Sequence, residues 1–146
     1  MTSRDVSTFF PGDRDRSTHD LIQEILFARA DHAKFMSFVQ DDAIFTMTGQ
    51  IYDYPFSGVY RGKDNILDLL RRIDAEIEMS DHKILNLVVD GDRTGLRRSV
   101  RIRHRGTSAA RPLIVANFVT LRDGRIAELY EYVDTVWLKQ MSGDAD

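Results

Sequence analysis

The apolar positions of this chain change period part-way along it. Helical spacing dominates up to about residue 78, and strict alternation dominates from residue 84 onward. Ser17 followed by Asp20 marks a helix start, with a hydroxyl at the N-cap and a carboxylate near the positive end of the helix dipole. Leu21, Ile22, Ile25 and Leu26 then form one stripe, which predicts a helix to about Ala30. Residues 1–16 show no periodicity and end in a Pro11-Gly12 turn signal, so they read as a flexible arm. After Asp31-His32 a shorter helical piece carries Phe35, Phe38 and Val39, and Asp41-Asp42 ends it. Ala43 to Thr48 has the character of a strand. Residues 49–62 mix turn formers with Tyr52, Tyr54, Phe56 and Tyr60 and predict a loop with one short strand. Ile66, Leu69, Leu70, Ile73 and Ile77 then share one face of an amphipathic helix over Lys63–Glu78.

Alternation predicts strands at Ile84–Val89, Leu96–His104, Leu113–Leu121 and Ile126 to about Trp137. Asp90-Gly91-Asp92, Gly106-Thr107-Ser108 and Asp123-Gly124 separate them, the last a strong hairpin signal. Helices followed by a four-strand meander predict an α+β domain with an antiparallel sheet, because hairpins leave no room for βαβ crossovers. Residues 17–140 form one domain in this reading and residues 141–146 a frayed tail. The helices would fold against the sheet and enclose a mostly apolar pocket.

Charge and composition narrow the partners. With 20 Lys and Arg against 23 Asp and Glu, the net charge is −3, which does not favour nucleic acid or an anionic membrane. The chain has no cysteine, which excludes disulfides and thiolate metal sites. The polar amino terminus has no apolar leader core, and no stretch approaches the roughly 18 apolar residues of a membrane span. The expected address is the cytoplasm.

Candidate chemistry concentrates on the last two strands of the sheet and on the arginine-rich one before them. Regular alternation puts Ile126, Glu128, Tyr130, Tyr132 and Asp134 on one face of the last strand, and Ala127, Leu129, Glu131 and Val133 on the other. Asp134, at the end of an aromatic row, is a candidate general acid or base if burial raises its pKa. The alternative is a strand-end carboxylate that caps a turn or pairs with an arginine. Seven arginines lie between Arg93 and Arg111. Most are expected to form a solvated face or a subunit contact rather than an anion site. Arg98 differs, because it shares a face with Leu96, Val100 and Ile102 and needs a partner, for which Asp134 is the candidate. His104 sits on that same face as a possible proton carrier. Tyr130, Tyr132, Tyr52, Tyr54 and Phe118 are the candidate substrate contacts. The four histidines have no metal-ligand spacing, there is no glycine-rich phosphate loop, and nothing requires a cofactor.

Several motifs occur in a characteristic order: Gly58-Val59-Tyr60-Arg61-Gly62-Lys63-Asp64 before a helix, Val89-Asp90-Gly91-Asp92, Arg105-Gly106-Thr107, Asp123-Gly124-Arg125-Ile126, and Glu131-Tyr132-Val133-Asp134-Thr135. Together they resemble the SnoaL-like and ketosteroid-isomerase-related branch of the nuclear-transport-factor-2-like superfamily over about residues 17 to 140. The resemblance implies a cystatin-like cone, a curved and mostly antiparallel sheet wrapped around helices and often dimerising through the sheet. It also implies a function among isomerases, polyketide cyclases, epoxide hydrolases and non-catalytic binding or dimerisation modules. A steroid isomerase's tyrosine and two aspartates would fall at Gln23, Met47 and Ala116, and a SnoaL-type cyclase's histidine at Ser108. The limonene epoxide hydrolase pattern is similar at Asp134 and Arg98, while Val100, Phe45 and Met47 replace its other polar groups. On this resemblance the chain acts on a small apolar or cyclic molecule by isomerisation, cyclisation or epoxide opening, as a homodimer. The non-catalytic alternative makes Arg98 and Asp134 a structural pair.

Overall fold

The structure is a computed structural model that describes residues 11–49 and 54–143. Helix α1 (Pro11–Phe27) starts six residues before the expected Ser17. Pro11 opens a helix here instead of a turn, because a first-turn residue needs no N–H partner and proline already has a helical φ. Helix α2 (His32–Met36) is capped by Asp31, whose side chain accepts from the Lys34 N–H. Strand β1 (Val39–Met47) follows and forms a hairpin with β2 (Gly58–Arg61). Helix α3 (Lys63–Glu76) then leads directly into β3 (Ile77–Asp90), which begins seven residues before the predicted strand.

Strands β3, β4 (Arg93–His104), β5 (Ala110–Arg122) and β6 (Arg125–Val133) form the expected antiparallel meander. The β5–β6 turn fits a tight hairpin, since Asp123 and Gly124 both adopt left-handed backbone, φ 54° and 73°. The full sheet is curved, six-stranded and ordered β2-β1-β6-β5-β4-β3. One pairing departs from the antiparallel expectation: β1 runs parallel to β6. The β1–β2 hairpin thus joins the meander through its last strand, with everything between acting as the crossover. The segment read as the end of the last strand is instead helix α4 (Thr135–Met141).

A β-bulge decides which residues of β6 face the core. Leu121 pairs with Ile126 and Thr120 with Glu128, so Ala127 is an extra residue on β6. Beyond it the alternation is inverted relative to the regular reading. Ile126 and Leu129 are both buried, although an odd number of positions separates them. Leu129, Glu131 and Val133 therefore face inward, and Tyr130 and Tyr132 face outward beside Phe118 and Ala116.

The interior has two apolar clusters. One gathers Ile22, Ile25, Phe35, Phe45, Leu96, Val119 and Leu129. The other gathers Tyr54, Phe56, Val100, Ile102, Leu113, Val115, Trp137 and Leu138. Helix α3 covers both, with Ile66 and Leu70 in the first and Leu69 and Ile73 in the second.

Candidate functional site

Between the two clusters the inward rows of three adjacent strands each carry one polar residue. On β4, Arg98 stands between Leu96 and Val100; on β5, Asn117 stands between Val115 and Val119; on β6, Glu131 stands between Leu129 and Val133. Asn117 and Glu131 are register partners, which brings their side chains together. Arg98 Nε donates to Asn117 Oδ1 at 2.9 Å and Arg98 Nη2 to Glu131 Oε1 at 3.1 Å. Asn117 Nδ2 donates to Glu131 Oε1 at 3.2 Å and to the Tyr130 carbonyl at 3.3 Å. The result is a belt of hydrogen-bonded charge across an apolar interior.

A cavity lies on each side of this belt. The first, about 70 Å³, is lined by residues including Ile22, Ile25, Phe35, Phe45, Leu96 and Val119. The second, about 60 Å³, is lined by residues including Tyr54, Ile73, Met79, Val100, Val115 and Leu138. Met47, Arg98, Glu131 and Arg29 line both. Arg29 is clamped in turn by Asp74, through bonds of 2.9 and 3.1 Å, and His32 Nε2 lies 2.6 Å from the same carboxylate.

Burial pulls the Arg98 guanidinium below its ordinary value, and Glu131 opposes that shift. Burial, then the negative charge of Glu131, pushes the Tyr54 phenol up, so it stays protonated as a donor. Among the described residues Arg98 Nη1 is buried without a hydrogen-bond partner, and the hydrogen bonds to the Glu131 carboxylate all fall on Oε1. The belt therefore offers an uncommitted donor and an uncommitted carboxylate oxygen within an apolar interior. No group of three or more metal-ligating side chains converges among the described residues.

The expected site residues divide sharply. Arg98 and Tyr54 stand at the cavities. Asp134 does not: the chain turns after Val133, and Asp134 caps α4 from an exposed position, Oδ1 accepting from the Trp137 N–H at 3.0 Å. The partner of Arg98 is Glu131, not Asp134. His104 faces inward as expected but staples the β4–β5 turn, its Nδ1 accepting from the Gly106 and Thr107 N–H groups at 3.1 Å each. That leaves Nε2 toward Glu76 at 3.5 Å, in a separate crevice beside α4. Tyr130, Tyr132 and Phe118 lie on the outer face, where the bulge puts them. Tyr52 lies outside the described residues. Of the positions carried over from relatives, Phe45, Met47 and Val100 line cavities, whereas Gln23 is exposed and Ala116 is on the outer face, with Asn117 as its inward neighbour.

Most of the seven arginines between Arg93 and Arg111 have partners. Arg97 donates to Asn86, Arg103 to Glu78 and Arg105 to the Asp74 carbonyl. Arg111 lies over the Trp137 ring at 4.3 Å.

The model of the SnoaL-like domain matches residues 20–129, most of the chain. The chain belongs to the SnoaL-like domain family. No curated protein matches it. Among solved structures, a putative isomerase from Bacillus subtilis superposes with a TM-score of 0.78 at 14% identity, covering 90% of this chain and 96% of that one. An LEH-like epoxide hydrolase of M. tuberculosis gives 0.64 at 20% identity, covering 86% of each chain. A protein of ketosteroid-isomerase-like fold from Catenulispora acidiphila, solved in complex with trimethylamine, gives 0.70 at 15% identity, covering 84% and 92%. At these identities the likeness is one of fold. Among the described residues no helix of this SnoaL-like chain is long and apolar enough to cross a membrane.

Two residues of the belt, and one histidine that feels its charge, escape a regular reading of the sequence. Asn117 is a polar interruption of the inward row Leu113, Val115, Val119, Leu121, a signal present in the alternation itself. Glu131 becomes visible only once the bulge is known. His82 lies in β3, where Asp81 and His82 together oppose Val100 and Asp81 takes φ 55°. Its half-buried ring is held below the ordinary 6.5 by burial, then by the positive charges of Arg98 and Arg29. Between the lowered folded value and 6.5 the unfolded chain binds more protons. Stability contributed by neutral His82 is thus complete above 6.5 and lost as pH falls through the folded value. Urea midpoints should drop between about pH 7.5 and about pH 5, and His82→Gln should reduce that drop. An unchanged pH dependence in His82→Gln would mean that other groups carry it.

Proposed function

We propose that this chain is a small-molecule enzyme of the SnoaL-like type, in which Glu131 moves a proton on a mostly apolar substrate. The supporting observation is the Arg98–Asn117–Glu131 belt, a carboxylate fixed between two apolar cavities. Oε1 of Glu131 is held by both neighbours, and Oε2 is left to accept a proton from carbon or from an attacking water. The Arg98 guanidinium lies beside the same cavities, so negative charge forming on a substrate oxygen would meet a fixed cation. Tyr54, protonated and buried, would orient the substrate from the second cavity. Isomerisation, cyclisation and epoxide opening are all served by pairing a base with a donor that binds the substrate oxygen. The apolar linings favour a hydrocarbon-like substrate over a sugar or nucleotide.

The test takes a panel of cyclic epoxides and cyclic enones, followed by chromatography, and α-proton exchange of simple ketones in D2O, followed by NMR. Wild-type turnover that falls about a hundredfold or more in Glu131→Gln, with the fold retained, is the expected result. Turnover indifferent to Glu131 but lost in Asp134→Asn would return the role to the capping residue. Turnover by neither protein would favour a ligand-binding domain, a reading that the hydrogen-bonded closure of Arg98 on Glu131 also suits.

A homodimer through the outer sheet face, the assembly that the resemblance implies, belongs to the same proposal. Leu129 and Val133 point inward, but Phe118, Tyr132 and Ile114 are exposed on the outer face, at 57%, 45% and 47%. Phe118 and Tyr132 already stack edge to face at 6.1 Å and make a ready apolar contact. Light scattering should give a dimer at micromolar concentration, shifted to monomer by Phe118→Glu. A wild-type monomer would rule this interface out.

A further inference from the structure

The belt is not at the end of a pocket. It separates two lobes, and the residues that line both, Met47, Arg98, Glu131 and Arg29, form the waist. Each lobe beyond the waist is walled by aliphatic and aromatic side chains, Ile22, Phe35 and Val119 on one side and Ile73, Val115 and Leu138 on the other. A ligand held by one polar end would fill one lobe and leave the other without contacts. From this geometry we infer that the substrate spans both lobes, with apolar arms at each end and one hydrogen-bond-accepting oxygen near its middle, bound by Arg98. The inference rests on the acid–base reading of the belt and specifies its substrate class.

Size and charge sharpen it. The two lobes are similar in size, about 70 and about 60 Å³. The substrate is then a small molecule with a carbonyl or epoxide oxygen flanked by hydrocarbon of similar length on both sides. A neutral oxygen suits the waist better than a carboxylate, because Glu131 already supplies the negative partner of Arg98. Met47, unbranched and lining both lobes, can adjust to the shape of the central group.

Two isomeric ketones test this without variants: dibutyl ketone, with a central carbonyl, and methyl heptyl ketone, with a terminal one. Their composition is identical and only the position of the oxygen differs. Titration calorimetry on the full chain should show dibutyl ketone binding about tenfold more tightly. Val119→Phe narrows one lobe and Val115→Phe the other, and each should weaken dibutyl ketone about tenfold. If either fails to unfold cooperatively, the milder Val119→Ile and Val115→Ile should reproduce the direction. Equal affinities for the two ketones, no binding of either, or sensitivity to one lobe alone would overturn the spanning substrate. Glu131-dependent proton exchange in that event would leave the acid–base reading standing. The expected binding pattern without Glu131-dependent chemistry would overturn the acid–base reading instead.

Discussion

Arg98→Met should lower the unfolding free energy by about 3–5 kcal/mol, read from urea titration near neutral pH. The guanidinium is 10% exposed and its Glu131 partner 17%, so neither charge is well solvated. Removing Arg98 leaves a carboxylate in an apolar interior and takes the Nε donor from Asn117 Oδ1. Methionine keeps much of the side-chain volume, so the loss reports the charge and its hydrogen bonds more than a cavity. The double variant Arg98→Met, Glu131→Met should recover most of the loss, because a buried ion pair is often no more stabilising than apolar residues of its size. A pair that stabilises little but costs much to break is what a functional belt would look like. A loss under about 1 kcal/mol for Arg98→Met would mean that water in the cavities solvates Glu131 as well as Arg98 does. Asp134→Asn is the contrasting control: asparagine caps helices about as well as aspartate, so a change within about 0.5 kcal/mol is expected.

Periodicity carried most of the fold. Leu69, Leu70 and Ile73 specify α3, and the alternation from Leu96 to Leu121 specifies the middle of the sheet, because both patterns follow from which face meets the core. It also singled out Arg98, a charge on an apolar row. Helix and strand ends were less readable. Glu76 and Ile77 meet with no glycine or proline between them, so nothing in the composition separates α3 from β3. At the other end, Asp134-Thr135-Val136-Trp137 has strand-like residues, and only the capping role of Asp134 shows that a helix begins there. The parallel pairing of β1 with β6 joins segments far apart in the chain, which local pattern does not encode. The site suffered most from one residue. Ala127 leaves no local signature as a bulge, yet it decides whether Glu131 or Tyr132 enters the interior.

That single-residue dependence can be tested by placing a charge on each face of β6. Leu129→Lys should lower stability by about 4 kcal/mol or more and abolish a cooperative urea transition, because Leu129 is buried and the carboxylate beside it, Glu131, already balances the charge of Arg98. Tyr132→Lys, at a position 45% exposed, should cost about 1 kcal/mol or less in dilute solution. A regular strand without the bulge predicts the reverse order, with Tyr132 inside and Leu129 outside, so the pair of variants discriminates cleanly. Deleting Ala127 goes one step further. Ile126 would then adjoin Glu128, the pairs Leu121 with Ile126 and Thr120 with Glu128 would persist, and Leu129, Glu131 and Val133 would keep their inward positions. The deletion should therefore fold, with urea and near-ultraviolet dichroism transitions close to those of the full chain. Any loss of function in it would come from the local twist that the bulge gives β6 and from the altered angle at which Glu131 meets Arg98. Failure of the deletion to fold, with Leu129→Lys tolerated, would show that the inward set of β6 had been assigned to the wrong face. The belt, and the chemistry proposed for it, would fall with that assignment.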